Sequence, residues 1–220
     1  MKPKAKSDET RARILAAAMD LFRRQGFEET TMREIATGAG VATGAAYYYF
    51  DSKDAIVLAF YDQSQQEMEP LLEAALAGTK DLKGRVGALL EVKFQYFEPN
   101  RRLLGTLAAH ADPEHRLSPF STQTLEMRER DMRFFERALE GSRIRVTGEL
   151  GRHLPRILWM YQMGLILFWI YDRSPAERRT RALVEKSLGI VVRLIKVSDF
   201  PLLRPVGRLV VDLVETVMGE

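Results

Sequence analysis

The chain has 220 residues, 46% of them hydrophobic, with 33 basic and 30 acidic side chains and no cysteine. That length and apolar content support a substantial core in one or two domains and exclude a disordered chain. The missing thiols exclude a disulfide scaffold and thiolate metal sites, and they fit a reducing cytoplasm. Charge is unevenly spread: residues 1–53 carry 9 basic and 7 acidic residues (+2), residues 54–142 carry 11 and 15 (−4), residues 143–208 carry 13 and 5 (+8), and residues 209–220 carry 0 and 3 (−3).

The N-terminal MKPKAKSDET has charges but no apolar run, so neither a signal peptide nor an anchor is expected. Lys2, Lys4 and Lys6 fit either a flexible arm on DNA or, as is commoner for such a tail, a simply solvated segment. From Asp8 to Gln25, Ile14, Ala18, Leu21 and Phe22 recur at helical spacing, with Ser7 or Asp8 as cap and Gly26 as stop. Phe27 then packs over the turn.

Thr31 to Phe50 predicts two short helices joined by a tight glycine turn. Thr31 with Glu34 three residues on is a capping-box pattern that starts a helix at Met32. Ile35, Ala36 and Ala39 give it one apolar face, and Gly40 offers the left-handed conformation that ends it. A second helix runs from Ala42 or Thr43 through Tyr47, its first turn made of small side chains that let the backbone approach a groove. A helix-turn-helix unit needs this arrangement, because the N-terminal residues of its second helix meet base edges.

Asp51 and Ser52 cap a long helix from Lys53 towards Leu76, stopped by Gly78. Its N-terminus offers unpaired amides to a phosphate, with Lys53 beside them. Beyond it the pattern predicts helices over Leu82–Phe97, Asn100–Ala111, Thr122–Leu139, Arg145–Asp172, Pro175–Val197 and Pro205–Met218, with a loop at Asp112–Phe120 and no strand. The fold class is all-α, with ten helices. Ile157–Tyr171 is an apolar run in which Gln162 is the strongly polar residue. It is too short for a bilayer, which needs about 20 residues. A helix apolar all round fits burial in its own domain on one side and against a second copy on the other. The helix at Pro175–Val197 would supply the rest of a four-helix dimer interface.

The run from Thr31 to Ile56 closely resembles the N-terminal signature of the TetR family of bacterial transcriptional repressors. The match comprises Thr31 and Arg33, Ile35-Ala36, Ala39 to Val41, Gly44, Tyr47-Tyr48-x-Phe50 and Ser52-Lys53. The chain departs from it at Ala42, often Ser in the family, at Thr43, often Lys, and at Tyr49, commonly His. The resemblance implies nine or ten helices, a helix-turn-helix domain over 1–51, and a helical effector and dimerisation domain over 52–220. It also implies a DNA surface of Thr31, Arg33, Thr43, Gly44, Ala45, Tyr47, Tyr48 and Lys53, with Lys53 and Arg33 mainly on phosphates. Base reading would rest on Thr43, on thymine-methyl contacts by Ala45 or Ala46, and on DNA shape.

Other chemistries fit less well. Gly38-x-Gly40-x-x-x-Gly44 and Tyr49-x-x-x-Lys53 lack the strand that a dinucleotide-binding glycine loop must follow. His110-x-Asp112-x-x-His115 is loosely spaced across a proline-containing loop, so no metal is expected. No G-x-S-x-G is present and no motif places a histidine, so no catalytic triad is expected; the regulator reading carries no catalytic residues, enzyme activity or cofactor. Phe94, Phe97, Leu104, Met127, Phe135, Trp159 and Met163 are the candidate lining of an effector cavity, with a shortage of internal charge favouring a small, largely apolar ligand. The reading is therefore a cytoplasmic homodimeric repressor that binds a palindromic double-stranded operator, is released by such an effector and has no membrane role. The alternative is a helical protein that kept the fold for an enzymatic or structural role.

Overall fold

The computed structural model describes residues 3–108, 112–198, 208–213 and 216. Among these there is no strand, and nine α-helices follow one another up to residue 197: α1 (Pro3–Arg24), α2 (Met32–Gly38), α3 (Thr43–Tyr49), α4 (Lys53–Ala77), α5 (Leu82–Phe97), α6 (Arg101–Leu107), α7 (Leu125–Glu140), α8 (Gly148–Tyr171) and α9 (Arg178–Val197). Single 3₁₀ turns at Glu98–Asn100 and Pro175–Glu177 precede α6 and α9. The expected helix at 205–218 lies largely outside the described residues, of which 208–213 are helical. Residues 109–111, including His110, and Lys2 also lie outside them.

The chain divides into two compact units, Met1–Gln66 with Glu98–Leu125 and Glu67–Phe97 with Glu126–Glu220. In the first, Ile14, Leu15, Ala18 and Phe22 of α1 are buried and bring α1 against α2, which packs in turn on α3. Phe22 and Phe27 stack with centroids 5.1 Å apart, so the turn after α1 is held by its own aromatic pair. Arg23 donates to Asn100 Oδ1 at 3.3 Å and joins α1 to the start of α6.

In the second unit a buried arginine, Arg85, donates to carbonyls at and just beyond the C-terminal ends of α4 and α7. Its Nε donates to Ala138 O at 3.0 Å, Nη2 to Arg137 O at 2.9 Å, and Nη1 to Leu76 O and Thr79 O at 2.5 and 2.9 Å. Gly141 follows from this: a Cβ there would collide with the Arg85 guanidinium. Leu82, Val86, Leu89, Phe135, Leu158 and Trp169 are buried in the same unit.

Several boundaries differ from the sequence expectation. The first helix runs through Ser7 and Asp8 to Pro3, a residue well suited to a first helical turn. Lys4 and Lys6 therefore belong to a helix and not to a flexible arm. The seventh helix starts at Leu125 and not Thr122, because Thr124 Oγ1 bonds to Ser118 O at 2.7 Å and Ser121 Oγ to Arg116 O at 3.2 Å. Such side-chain bonds to the backbone compete with helix formation. Arg145–Thr147 is not helical, and α8 opens at Gly148 with φ +73°. Pro175 starts a 3₁₀ turn, and Ala176 and Glu177 behind it are left-handed at φ 51° and 55°. Asp172 holds that turn, accepting from Ser174 N at 2.8 Å, Thr180 N at 2.9 Å and Thr180 Oγ1 at 2.7 Å.

The expected shortage of internal charge does not hold. Arg85 is 9% exposed and Lys93 4% exposed, and Lys93 pairs with Asp131. Each is compensated by a partner far along the chain, so the sequence pattern around it gives no sign of burial.

Candidate nucleic-acid interface

The helix-turn-helix is built from local bonds. Thr31 accepts Glu34 N through Oγ1 at 3.2 Å while Glu34 Oε2 accepts Thr31 N at 2.8 Å, completing the capping box at the start of α2. The Thr31 amide and hydroxyl hold the Glu34 carboxyl below the usual carboxylate range, with Gln25 assisting. At the other end Gly40 takes φ +64°, Val41 N bonds to Ala36 O at 3.0 Å and Gly40 N to Thr37 O at 3.1 Å. That pair of bonds is a Schellman motif, and it fixes the angle between α2 and α3.

Arg13 of α1 locks the same turn. Its Nη2 donates to Ala39 O at 2.6 Å and Gly40 O at 3.3 Å, and its Nε to Ala39 O at 3.2 Å. A cation on carbonyls at a helix C-terminus is favoured by the helix dipole. Sequence reasoning missed Arg13, since the bond joins residues 26 apart and nothing local marks it. Arg11 adds a further tie, its guanidinium 4.8 Å from the Phe50 ring centroid.

With α2 fixed, α3 shows one open face. Thr43 and Gly44 are exposed, Ala45 is half-buried, Tyr47 is 52% and Tyr48 83% exposed. Tyr48 leans edge-on against Tyr49 with centroids 5.2 Å apart. A Cβ at Gly44 would meet nothing within 4 Å, so nothing inside the chain requires a glycine there. Ala46 is fully buried, which removes it from the two thymine-methyl candidates and leaves Ala45. The N-cap of α3 is Ala42, which has no side-chain bond to give.

The two candidate phosphate cations differ. Arg33 is exposed on α2, and among the described residues nothing pairs with its guanidinium. Lys53 is half-buried; its Nζ donates to Phe27 O at 2.6 Å and Glu28 O at 3.2 Å and stands 4.5 Å from the Phe27 ring centroid. It pins the turn that delivers Thr31 to α2, using two of three ammonium protons. Ser52 Oγ accepts Ala55 N at 3.2 Å and caps the helix that Lys53 opens.

Of the candidate effector lining, Phe94, Phe97, Met127, Phe135, Trp159 and Met163 belong to the second unit, while Leu104 lies on α6 of the first. Phe94, Phe135 and Trp159 are buried, and Phe97, Met127 and Met163 are half-buried. Phe94 stacks on Trp169 at 5.3 Å, and the Arg128 guanidinium stands 5.9 Å from the Trp159 ring centroid. Among the described residues no group of His, Asp and Glu has the geometry of a metal site, and no helix is long and apolar enough to cross a membrane.

Comparison with known proteins matches both parts of the chain. The family described as bacterial regulatory proteins, tetR family, matches residues 14–60, and the tetracyclin repressor-like C-terminal domain matches residues 85–215. An uncharacterised HTH-type transcriptional regulator of Bacillus subtilis, YdgC, is 33% identical over 104 residues, 46% of this chain and 53% of its own length. Matched stretches span from 31% to 53% of the first such curated relatives, all of which are transcriptional regulators and none an enzyme by name. Among solved structures, a TetR regulator of Nitrosomonas europaea superposes with a TM-score of 0.65 at 18% identity, over 84% of this chain and 98% of that one. The regulator FadR of Bacillus subtilis, solved in complex with stearoyl-CoA, gives 0.61 at 15% identity over 84% and 97%. At those identities the superpositions show the fold, while the family matches cover more than half the sequence: this chain belongs to the TetR family of bacterial regulatory proteins.

Proposed function

We propose that the protein is a cytoplasmic homodimeric repressor that reads a palindromic DNA operator through α3 and leaves it when a small effector binds in the second unit. The observation that carries the DNA reading is the open first turn of α3. Its small side chains and exposed Tyr47 and Tyr48 flank Gly44, where a side chain would point into empty space. A surface that has no use for its glycine internally is suited to close approach by an outside partner. Thr31, Arg33, Thr43, Gly44, Ala45, Tyr47, Tyr48 and Lys53 form the DNA surface in this reading. Arg33 contacts phosphate with its unpaired guanidinium, and Lys53 does so with its remaining proton. Residues 1–51 are the DNA-reading part, and residues 52–220 serve effector binding and dimerisation.

Dimerisation draws support from α8 and α9. Gly164, Leu167, Phe168 and Tyr171 are exposed at helical spacing on α8, and Ile190, Leu194 and Val197 on α9. An open groove of about 1040 Å³ runs past Leu167, Phe168 and Tyr171 to Arg178, Arg179 and Ala182. Exposed apolar stripes of this extent mark interaction surfaces. Two copies joined there would set their α3 helices about one DNA turn, roughly 34 Å, or a multiple apart.

Effector binding rests on Phe94, Phe97, Met127, Phe135, Trp159 and Met163, all in the second unit. FadR, similar in fold, was solved with stearoyl-CoA, which supports a ligand with a long apolar part. Helix α4 belongs to both units, which divide it between Gln66 and Glu67. A ligand that favours one setting of α4 would change DNA affinity, and operator DNA would change ligand affinity by the same factor. Selection of genomic fragments by the purified protein tests the proposal. An inverted repeat should be enriched; fragments with no shared sequence would contradict it.

A further inference from the structure

Three polar side chains, one each from α5, α7 and α8, meet inside the second unit. Lys93, 4% exposed, pairs through its ammonium with Asp131 Oδ1. Gln162, 1% exposed, donates from Nε2 to Asp131 Oδ2 at 2.7 Å. The carboxylate is engaged on both oxygens, while its two partners are not fully used. Gln162 Oε1 has no hydrogen-bond partner among the described residues. Asp131 is the hydrogen-bond partner of an ammonium with three donors, whose other close neighbour is the Phe135 ring at 5.9 Å. A buried acceptor without a donor is costly and rare, and so calls for an explanation. Stability does not supply one, since well-packed apolar residues in place of a buried ion pair are often neutral or stabilising.

We propose that this cluster receives the polar end of the effector, and that the effector is a neutral amphiphile whose head group both donates and accepts a hydrogen bond. Alcohols, phenols and carboxamides have that chemistry. The inference rests on the effector reading above. The head group donates to Gln162 Oε1 and accepts from an unused N–H of Lys93. Charge selects the class: Lys93 and Asp131 cancel, so a carboxylate or ammonium would bring an unbalanced charge into a buried site. Trp159 lies one helical turn before Gln162 on the same face of α8, and with Phe135 it gives the apolar body of the ligand a surface to lie against.

Calorimetric titration with 4-butylphenol, butylbenzene and 4-butylbenzoate, which share one hydrocarbon tail, tests this on wild type and Gln162→Leu. The phenol should bind wild type about tenfold more tightly than the other two, as expected when its hydroxyl satisfies a buried acceptor that is otherwise unpaired. Gln162→Leu should erase that preference and leave butylbenzene binding unchanged. Lys93→Met, Asp131→Leu and Gln162→Leu together, which remove the polar cluster as a unit, give a second variant should Gln162→Leu alone not fold. It should melt no lower than wild type and also lose the phenol preference. A preference that survives both changes, or tighter binding of the benzoate, overturns the head-group assignment alone. No binding by any of the three probes overturns the effector reading beneath it as well.

Discussion

Lys53 Nζ lies 2.6 Å from the Phe27 carbonyl oxygen and 4.5 Å from the centroid of the Phe27 ring, so one residue of α4 holds both faces of the turn between α1 and α2. In the DNA-bound reading the same ammonium has one proton left for a phosphate. Lys53→Ala should therefore act twice. Loss of charge-assisted bonds to Phe27 and Glu28 should lower unfolding free energy by about 1–3 kcal/mol. Loss of the phosphate contact should weaken specific and random duplexes alike and flatten the salt slope by about one. Denaturant unfolding and duplex titration at several salt concentrations check the two effects separately. A destabilised variant with unchanged DNA affinity would leave Lys53 a structural residue alone.

Gly44 sits where a Cβ would meet nothing within 4 Å. Gly44→Ala should raise stability by up to about 1 kcal/mol, because alanine loses less backbone entropy in a helix. In a close protein–DNA contact the same methyl would be overpacked by about 1–3 kcal/mol, a loss of at least about fivefold in affinity. Thermal unfolding and operator titration should thus move in opposite directions. Improved stability with unchanged affinity would place the DNA elsewhere.

Asp172 is buried, which pushes its carboxyl pKa up, but bonds from Ser174 and Thr180 outweigh that and hold it well below the usual carboxylate range. A group with a depressed folded pKa contributes stability above its unfolded pKa, near 3.9, and loses it as pH falls towards the folded value. Unfolding free energy should fall below about pH 4 in wild type, and fall less steeply in Asp172→Asn. The variant should be the less stable of the two at pH 7. Parallel pH profiles would contradict this assignment.

Pro70 interrupts the hydrogen-bond ladder of α4, since it has no N–H for the Gln66 carbonyl, and the two compact units divide between Gln66 and Glu67. Pro70→Ala should restore that bond and stabilise the protein by about 2 kcal/mol, the interior-proline penalty less the entropy it removes from the unfolded chain. Amide exchange over residues 66–74 should slow. Unchanged exchange would show that α4 is already rigid at this point.

What the sequence made legible was local. Thr31 and Glu34 sit three residues apart, and Gly40 needs only its own φ, so capping box and turn are written within a dozen residues, and the helices at Lys53 and Leu82 start where predicted. The two left-handed residues before α9 escaped because Ala176 and Glu177 have no intrinsic preference for that conformation; Asp172 and Thr180 impose it from outside. Arg13, Arg85 and the pair Lys93 and Asp131 escaped for a related reason. Their partners stand 26, 53 and 38 residues away, and a charged residue on a helix reads as solvated until the facing helix is known. Ala46 looked equivalent to Ala45 in a run of small residues, and only the packing of α3 separates them.

In the proposed function two copies of this chain read DNA through α3. Its most direct test is titration of the protein into a duplex carrying the selected inverted repeat, with stoichiometry and affinity followed as salt is raised. An even number of protomers should bind each duplex, with affinity falling as salt rises because neutralised phosphates release counterions. Arg33→Ala should reduce the slope by about one. A single protomer per site, or binding indifferent to both salt and Arg33, would contradict the proposed function.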